Sequence, residues 1–169
     1  SFTTFARPNA QPSPMARWPY SRRIRAGACG GSMWRQAQPP GSRLDTFLAD
    51  IALHPATGEL YGADFTTLHH VDLARGTVTP IGLHGAEGLN ALAFSSTGTL
   101  YAASHHSTKL FTVDIATGAA SEAIDMGRSS AGDLAFDVDG NLFLLAHNGF
   151  PSTSDLVRVN PLQGTVEVV

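Results

Sequence analysis

Short apolar segments alternate with glycine-containing turns throughout residues 45–169. In three places a small apolar run leads to a glycine turn and then to Leu followed by an aromatic residue, namely Asp50–Tyr61, Ala91–Tyr101 and Asp133–Phe143. Each is followed by a second matching piece, at Leu68–Thr77, Leu110–Ala119 and Leu156–Thr165. The first-turn glycines, at positions 58, 98 and 140, are 40 and 42 residues apart. A period near 42 residues predicts an array of similar structural units.

Each unit reads as four short β-strands. The first strand is small and apolar, as in Leu92-Ala93-Phe94, which is typical of a strand buried on both faces. The third strand alternates, with Leu110 and Phe111 on opposite faces, and this period of two predicts a half-buried strand. The sequence Asp-x-x-x-Gly then predicts a turn in which the Asp side chain binds the backbone and Gly takes a positive φ. No stretch of the repeats has the periodicity of a helix longer than two turns.

Four strands in a repeat of about 40–45 residues are typical of propeller blades. The sequences Val-Asp-Ile-Ala-Thr-Gly at 113–118 and Asp-Gly-Asn-Leu-Phe at 139–143 resemble the repeats of bacterial, often exported, PQQ-like and NHL-like propeller proteins. The resemblance implies an all-β fold, a β-propeller-type array of three four-stranded antiparallel blades at about 45–85, 86–127 and 128–169. The absence of a Gly-His…Trp-Asp pair disfavours a WD40 repeat. Both tryptophans, Trp18 and Trp34, lie outside the repeats, which disfavours a quinone cofactor.

Composition and charge divide the chain near Leu44. Residues 1–44 contain seven arginines, no acidic residue, most of the prolines and the lone Cys29. Residues 45–169 contain four basic residues and all fourteen acidic ones. The basic segment could be an arm for anionic surfaces or a transit peptide, but its composition favours a disordered or non-native segment. The acidic repeats argue against nucleic acid as a partner of residues 45–169.

Three blades do not form a closed ring. Propellers close with about four to eight blades, and the end blades of a shorter array would expose apolar faces. We therefore expect missing blades or self-association to close the ring, and we favour an incomplete part of a larger propeller. No stretch approaches the roughly 18–20 apolar residues of a membrane span, so none is predicted.

Two histidines occupy matching loop positions in neighbouring blades. His105 is the fourth residue after Tyr101, and His147 is the fourth after Phe143, whereas blade one has Phe65 there. Imidazoles from adjacent blades could share a divalent metal, so His105 and His147 are candidate ligands, with His106 and Asp64 nearby. The alternative is that both are solvated loop side chains, because a site needs three or four ligands. No other cofactor is predicted.

Other catalytic signals are absent from the sequence. There is no Gly-x-Ser-x-Gly elbow, no phosphate-binding loop, and no cysteine within the repeats, so no catalytic residue is predicted. Asp137-Val-Asp-Gly-Asn141 has its Gly at the wrong place for an EF-hand loop, which favours a hairpin turn. His69 and His70 fall in the third strand, where core or interface packing accounts for them.

Two functions remain open. The first is a non-catalytic repeat scaffold that binds a protein or glycan partner through its loops, exported from a bacterium. The second is a metal-dependent propeller hydrolase or lactonase that uses His105 and His147. Because only the blade pattern is specific, the sequence favours the scaffold.

Overall fold

The computed structural model describes Leu44, residues 46–149 and residues 153–169. Blade one contains β1 (Asp50–Leu53), β2 (Leu60–Ala63), β3 (Thr67–Asp72) and β4 (Thr77–Leu83). Blade two contains β5 (Leu89–Phe94), β6 (Leu100–Ser104), β7 (Lys109–Val113) and β8 (Ala120–Asp125). Blade three contains β9 (Ser130–Phe136), β10 (Leu142–His147), β11 (Ser154–Asn160) and β12 (Thr165–Val168). The prediction for the basic segment 1–44 falls outside the described residues, apart from Leu44.

Each blade is a four-stranded antiparallel meander in which sequence neighbours pair. The registers repeat: Leu60 pairs with Val71 in blade one, and Leu100 pairs with Val113 in blade two. The described residues form strands and turns with no helix, so the predicted all-β array of three antiparallel blades is confirmed.

The turns between the third and fourth strands have the predicted chemistry. Asp72 Oδ1 accepts hydrogen bonds from the backbone N–H groups of Ala74 and Arg75, each at 2.9 Å. Asp114 makes the matching bond to Ala116 at 2.9 Å, and the turn ends at Gly118 with a φ of 82°. Glycine adopts this left-handed conformation without the steric cost that a Cβ would bring.

The hydrophobic core lies between blades rather than within them. One buried cluster joins blade one to blade two and includes Leu68, Leu92 and Phe111. A second joins blade two to blade three and includes Leu110 and Leu134. Each blade therefore buries its apolar residues against a neighbour, as repeat architectures do.

This arrangement corrects the prediction that the third strand of blade two is half-buried. Leu110 is fully buried in the second cluster, while Phe111 is buried in the first, so both faces of β7 are covered. The alternation of the sequence is correct, but a strand in the middle blade has a neighbouring sheet on each side. An alternation with a period of two residues shows which side chains share a face of the strand, but it does not show whether one face or both are buried.

Candidate functional site

A cavity of about 420 Å³ opens where the loops after the second strands meet the ends of the inner strands. Its wall contains Phe65, His105 and His147, each the fourth residue after the aromatic residue of the second strand. The residues directly before the inner-strand motif also line it, namely Ala49, Asn90 and Gly132, together with Phe47. We call this space the loop-face cavity. It gathers two repeat-equivalent positions from every blade.

His105 is held by a backbone carbonyl. Its Nδ1 lies 2.8 Å from Gly88 O, and its backbone N–H donates to the same oxygen at 3.2 Å. A carbonyl only accepts, so Nδ1 carries the proton and the neutral ring keeps its lone pair on Nε2. A side chain at Gly88 would collide with this ring, since a Cβ there would lie 2.7 Å from His105 Cε1. The edge of the ring packs against Phe65, with centroids 5.7 Å apart.

His147 ends β10 and is exposed on the same cavity wall. Its backbone N–H donates to Ser129 O at 3.0 Å, which ties the strand end to the loop before β9. The two predicted candidates are thus brought to one cavity. Within the described residues, however, no three His, Cys, Asp or Glu side chains are grouped closely enough to hold a metal ion.

The two residues predicted to lie nearby have other partners. His106 is exposed, with its Nδ1 3.6 Å from a carboxylate oxygen of Glu87. Asp64 Oδ2 lies 2.9 Å from His69 Nε2, and Asp64 Oδ1 accepts from the backbone N–H groups of Thr66 and Thr67, each at 2.7 Å. Burial alone raises the pKa of Asp64, but the hydrogen bonds from His69, Thr66 and Thr67 outweigh it and lower the pKa to about 2. This carboxylate therefore organises its own loop.

Histidine burial near Asp64 was only partly predicted. His69 is buried, as expected for one histidine of the third strand, and its Nδ1 has no hydrogen-bond partner among the described residues. His84 is also buried, with Nε2 donating to Asp64 O at 3.3 Å. Burial lowers the pKa of His84, and the bond to the Asp64 carbonyl offsets part of that effect. Nothing in the sequence around His84 marks it as a core residue.

Among the cavity residues that the sequence did not identify, namely Phe47, Ala49, Asn90 and Gly132, Asn90 is the one with a polar side chain. Its Nδ2 reaches Ser130 O at 3.5 Å, whereas its Oδ1 is buried without a hydrogen-bond partner among the described residues. A buried acceptor without a partner costs about 1–3 kcal/mol. The sequence does distinguish Asn90 from its equivalents in the other two blades, because Ala49 and Gly132 have no polar side chain.

Comparison with known proteins shows the fold. The nidogen–laminin complex matches with a TM-score of 0.58 and 15% identity, over 70% of this chain and 46% of that one. A gluconolactonase from Xanthomonas campestris matches with a TM-score of 0.54 and 17% identity, over 70% and 45%. A structural genomics protein from Bacteroides thetaiotaomicron matches with a TM-score of 0.56 and 17% identity, over 70% and 34%. The chain has a β-propeller-type fold and spans less than half the length of each.

Sequence comparison adds no family. No model of a known protein family matches the chain, and no curated protein matches it in sequence. The part of the chain that the structure describes contains no helix capable of crossing a lipid bilayer.

Proposed function

We propose that this chain is a non-catalytic part of a β-propeller and that it binds a glycan or protein partner in the loop-face cavity. The observation that carries the proposal is the convergence of Phe65, His105 and His147 from three blades on one cavity. Repeated positions that face one space let a single ligand contact every blade. Loops on a rigid β-scaffold are where binding residues commonly lie.

The chemistry of the cavity suits a ligand with an apolar face and hydroxyl or amide groups. Phe47 and Phe65 pack with centroids 5.3 Å apart and are 63% and 45% exposed. Such aromatic surfaces provide much of the binding energy at interfaces. His105 Nε2 is a hydrogen-bond acceptor for hydroxyl or N–H groups of the ligand. A few polar groups on an otherwise apolar wall fix the orientation of what binds.

The test is binding of the full chain to an array of soluble oligosaccharides and peptides, followed by calorimetry with the best ligand. Replacement Phe65→Ala is expected to weaken affinity by about tenfold or more, equivalent to about 1.4 kcal/mol. Leu162→Ala is the matched control, because Leu162 is exposed in the turn between β11 and β12, which does not line the cavity. Equal affinity of the Phe65→Ala variant and the intact chain for every ligand would contradict the proposal.

A second candidate is a metal-dependent hydrolase. It is favoured by one observation: two imidazoles, His105 and His147, line the same cavity, and the Nε2 of His105 keeps its lone pair. Imidazole is a common ligand for zinc, and catalytic zinc has three protein ligands and an open position. The chain would then supply two ligands to the ion, and His105 would be oriented by the Gly88 carbonyl.

Metal analysis distinguishes the two functions. The scaffold proposal expects less than one zinc ion per chain after dialysis, with no change in His105→Ala or His147→Ala. Stoichiometric zinc that both substitutions remove would instead support the hydrolase.

We also propose that the protein is exported from a bacterium. An extracellular domain from Bacteroides thetaiotaomicron shares the fold, with a TM-score of 0.51 and 14% identity over 72% of this chain and 18% of that one. Fractionation of the producing cells is expected to recover the protein from the periplasm or the medium. Recovery with the cytoplasmic fraction would contradict export.

A further inference from the structure

The two end blades expose residues whose equivalents are buried at the junctions between blades. We call the side of a blade that faces the preceding blade its front face. On the front face of blade one, Ile51 is 52% exposed, whereas its equivalents Leu92 and Leu134 are 3% and 6% exposed. Leu53 is 57% exposed, although its equivalents Phe94 and Phe136 both pack into junction clusters.

The opposite side of blade three, its rear face, shows the same contrast. Leu156 is 42% exposed, while its equivalents Leu68 and Leu110 are 1% and 0% exposed. Leu145 is also 42% exposed, and its equivalents Ala63 and Ala103 are buried. At these two positions the rear face of blade three therefore resembles the surface that is buried where a following blade is present, although it also carries the exposed Arg158, which pairs with Glu167.

The acceptor of a polar contact between blades one and two recurs on blade three. Between blades one and two, Asp50 Oδ2 accepts a hydrogen bond from the backbone N–H of Leu92 at 2.6 Å. The equivalent of Asp50 in blade three is Asp133, which is exposed on the last inner strand. The equivalent of Leu92 in blade one is Ile51, on the first inner strand. The chain therefore has an exposed acceptor on its rear face, whereas the Ile51 N–H at the other end already donates to Asp50 Oδ1 at 2.8 Å.

We propose that two copies of this chain associate head to tail, with the front face of each on the rear face of the other, and so close a six-bladed ring. The front face contains a groove of about 240 Å³ that is lined mostly by apolar residues, namely Leu44, Ile51, Leu60, Val71 and Leu73, and also by Asp72 and Gly76. Two different faces that match each other make a heterologous interface, which closes a ring when the rotation allows it. Six blades fall within the range of about four to eight that propellers use.

The sizes of two of the three similar propellers agree with two copies, whereas the third, of which this chain covers 34%, is larger. The chain covers 46% of the nidogen–laminin match and 45% of the gluconolactonase match, so a second array of three blades would give an assembly of comparable size. The side-chain volumes of the faces also complement each other. Blade one has Leu53 where the other front faces have phenylalanine, and blade three has Leu145 where the other rear faces have alanine. A smaller residue on one face offsets a larger one on the other.

The first test is the mass of the full chain in solution, measured by light scattering after gel filtration under reducing conditions. We expect twice the 17.8 kDa of one chain, falling to the monomer only on dilution. A monomer at all concentrations would overturn the proposal, and it is the result expected if further blades of one polypeptide cover these faces. Open polymers beyond the dimer would also overturn it, because the ring would not close.

Variants test which faces meet. Ile51→Glu and Leu156→Glu each place a charge on one face, and each is expected to yield monomers. Val138→Glu is the control, since Val138 is fully exposed in the turn between β9 and β10 and is expected to leave the dimer intact. Circular dichroism checks that each variant is folded. We expect both variants to fold, because Ile51 and Leu156 are exposed in the single chain.

Mixing the two variants distinguishes head-to-tail association from a dimer in which a face pairs with the same face of the other copy. The Ile51→Glu chain keeps an intact rear face, and the Leu156→Glu chain keeps an intact front face. Their mixture can form one sound junction, so dimers are expected to reappear with a dissociation constant above that of the intact chain. If both variants stay monomeric when mixed, or if either one alone remains a dimer, the proposed contact is wrong.

Discussion

Asp50 and Leu92 join the inner strands of neighbouring blades through a single hydrogen bond of 2.6 Å from a backbone N–H to a side-chain carboxylate. Burial raises the pKa of Asp50, the hydrogen bonds from Leu92 and Ile51 oppose that effect, and the charge of Asp133 adds to it. Blade two has Ala91 at this position, so the junction between blades two and three lacks this bond. Junctions with the same apolar core thus differ in their polar contacts.

Removal of this carboxylate is expected to weaken the junction of blades one and two. Asp50→Ala leaves the Leu92 N–H without its acceptor, and a lost hydrogen bond to a charged group costs about 1–3 kcal/mol of unfolding free energy. Denaturant unfolding measures the loss. Asp139→Ala is the control: Asp139 is exposed in a turn, and its replacement is expected to change stability by less than about 0.5 kcal/mol. Equal stability of the two variants would show that the bond contributes nothing.

Close packing of two backbones at the same junction gives a second prediction. A Cβ on Gly118 would lie 2.6 Å from the carbonyl oxygen of Gly82, and the φ of Gly118 is 82°. Gly140 has the same φ of 82° but nothing within 4 Å of its Cβ position. Gly118→Ala is expected to cost at least about 1 kcal/mol more than Gly140→Ala, because only Gly118 adds a steric clash to the backbone strain. Similar melting temperatures for both variants would contradict the close approach.

The pKa of Asp64 predicts how stability depends on pH. Its folded-state value of about 2 lies below the ordinary 3.8, so the unfolded chain binds a proton more readily. The stabilisation that Asp64 provides is complete well above pH 3.8 and is lost as the pH falls towards about 2. Asp64→Asn removes this contribution, so the stability difference between the intact chain and the variant should shrink over that interval. Thermal melts at pH 6, 4, 3 and 2 measure it, and a constant difference would contradict this assignment.

Local chemistry made the blade predictable from the sequence. The Asp72 and Asp114 turns depend on residues within four positions, and their glycines mark where the chain reverses. Small apolar inner strands such as Leu92-Ala93-Phe94 are likewise defined by their own composition. The number of covered faces was not predictable in this way, because the burial of Leu110 depends on blade three and not on its own strand.

The loop-face cavity was predictable only where it follows the repeat. Counting from Tyr101 and Phe143 identified His105 and His147, which line one cavity because equivalent positions of adjacent blades face the same side. The polar atoms of Asn90 depend on packing against Ser130, 40 residues away, which no local pattern encodes. The role of Asp64 was missed for a related reason: its partner His69 lies across a hairpin, where side-chain orientation decides the contact.

A disulfide between the two end faces tests the account most directly. The contact of Asp50 with Leu92 brings the two inner strands close, so the equivalent pair, Asp133 of one copy and Ile51 of the other, is expected within the reach of a disulfide. In a Cys29→Ser background, Asp133→Cys and Ile51→Cys chains are mixed and oxidised, with Val138→Cys replacing either one as the control. The account predicts a covalent dimer from the Asp133→Cys and Ile51→Cys pair well above the control yield. Equal yields from all pairs, or no covalent dimer, would contradict the claim that the two open faces form the same junction that joins the blades within the chain.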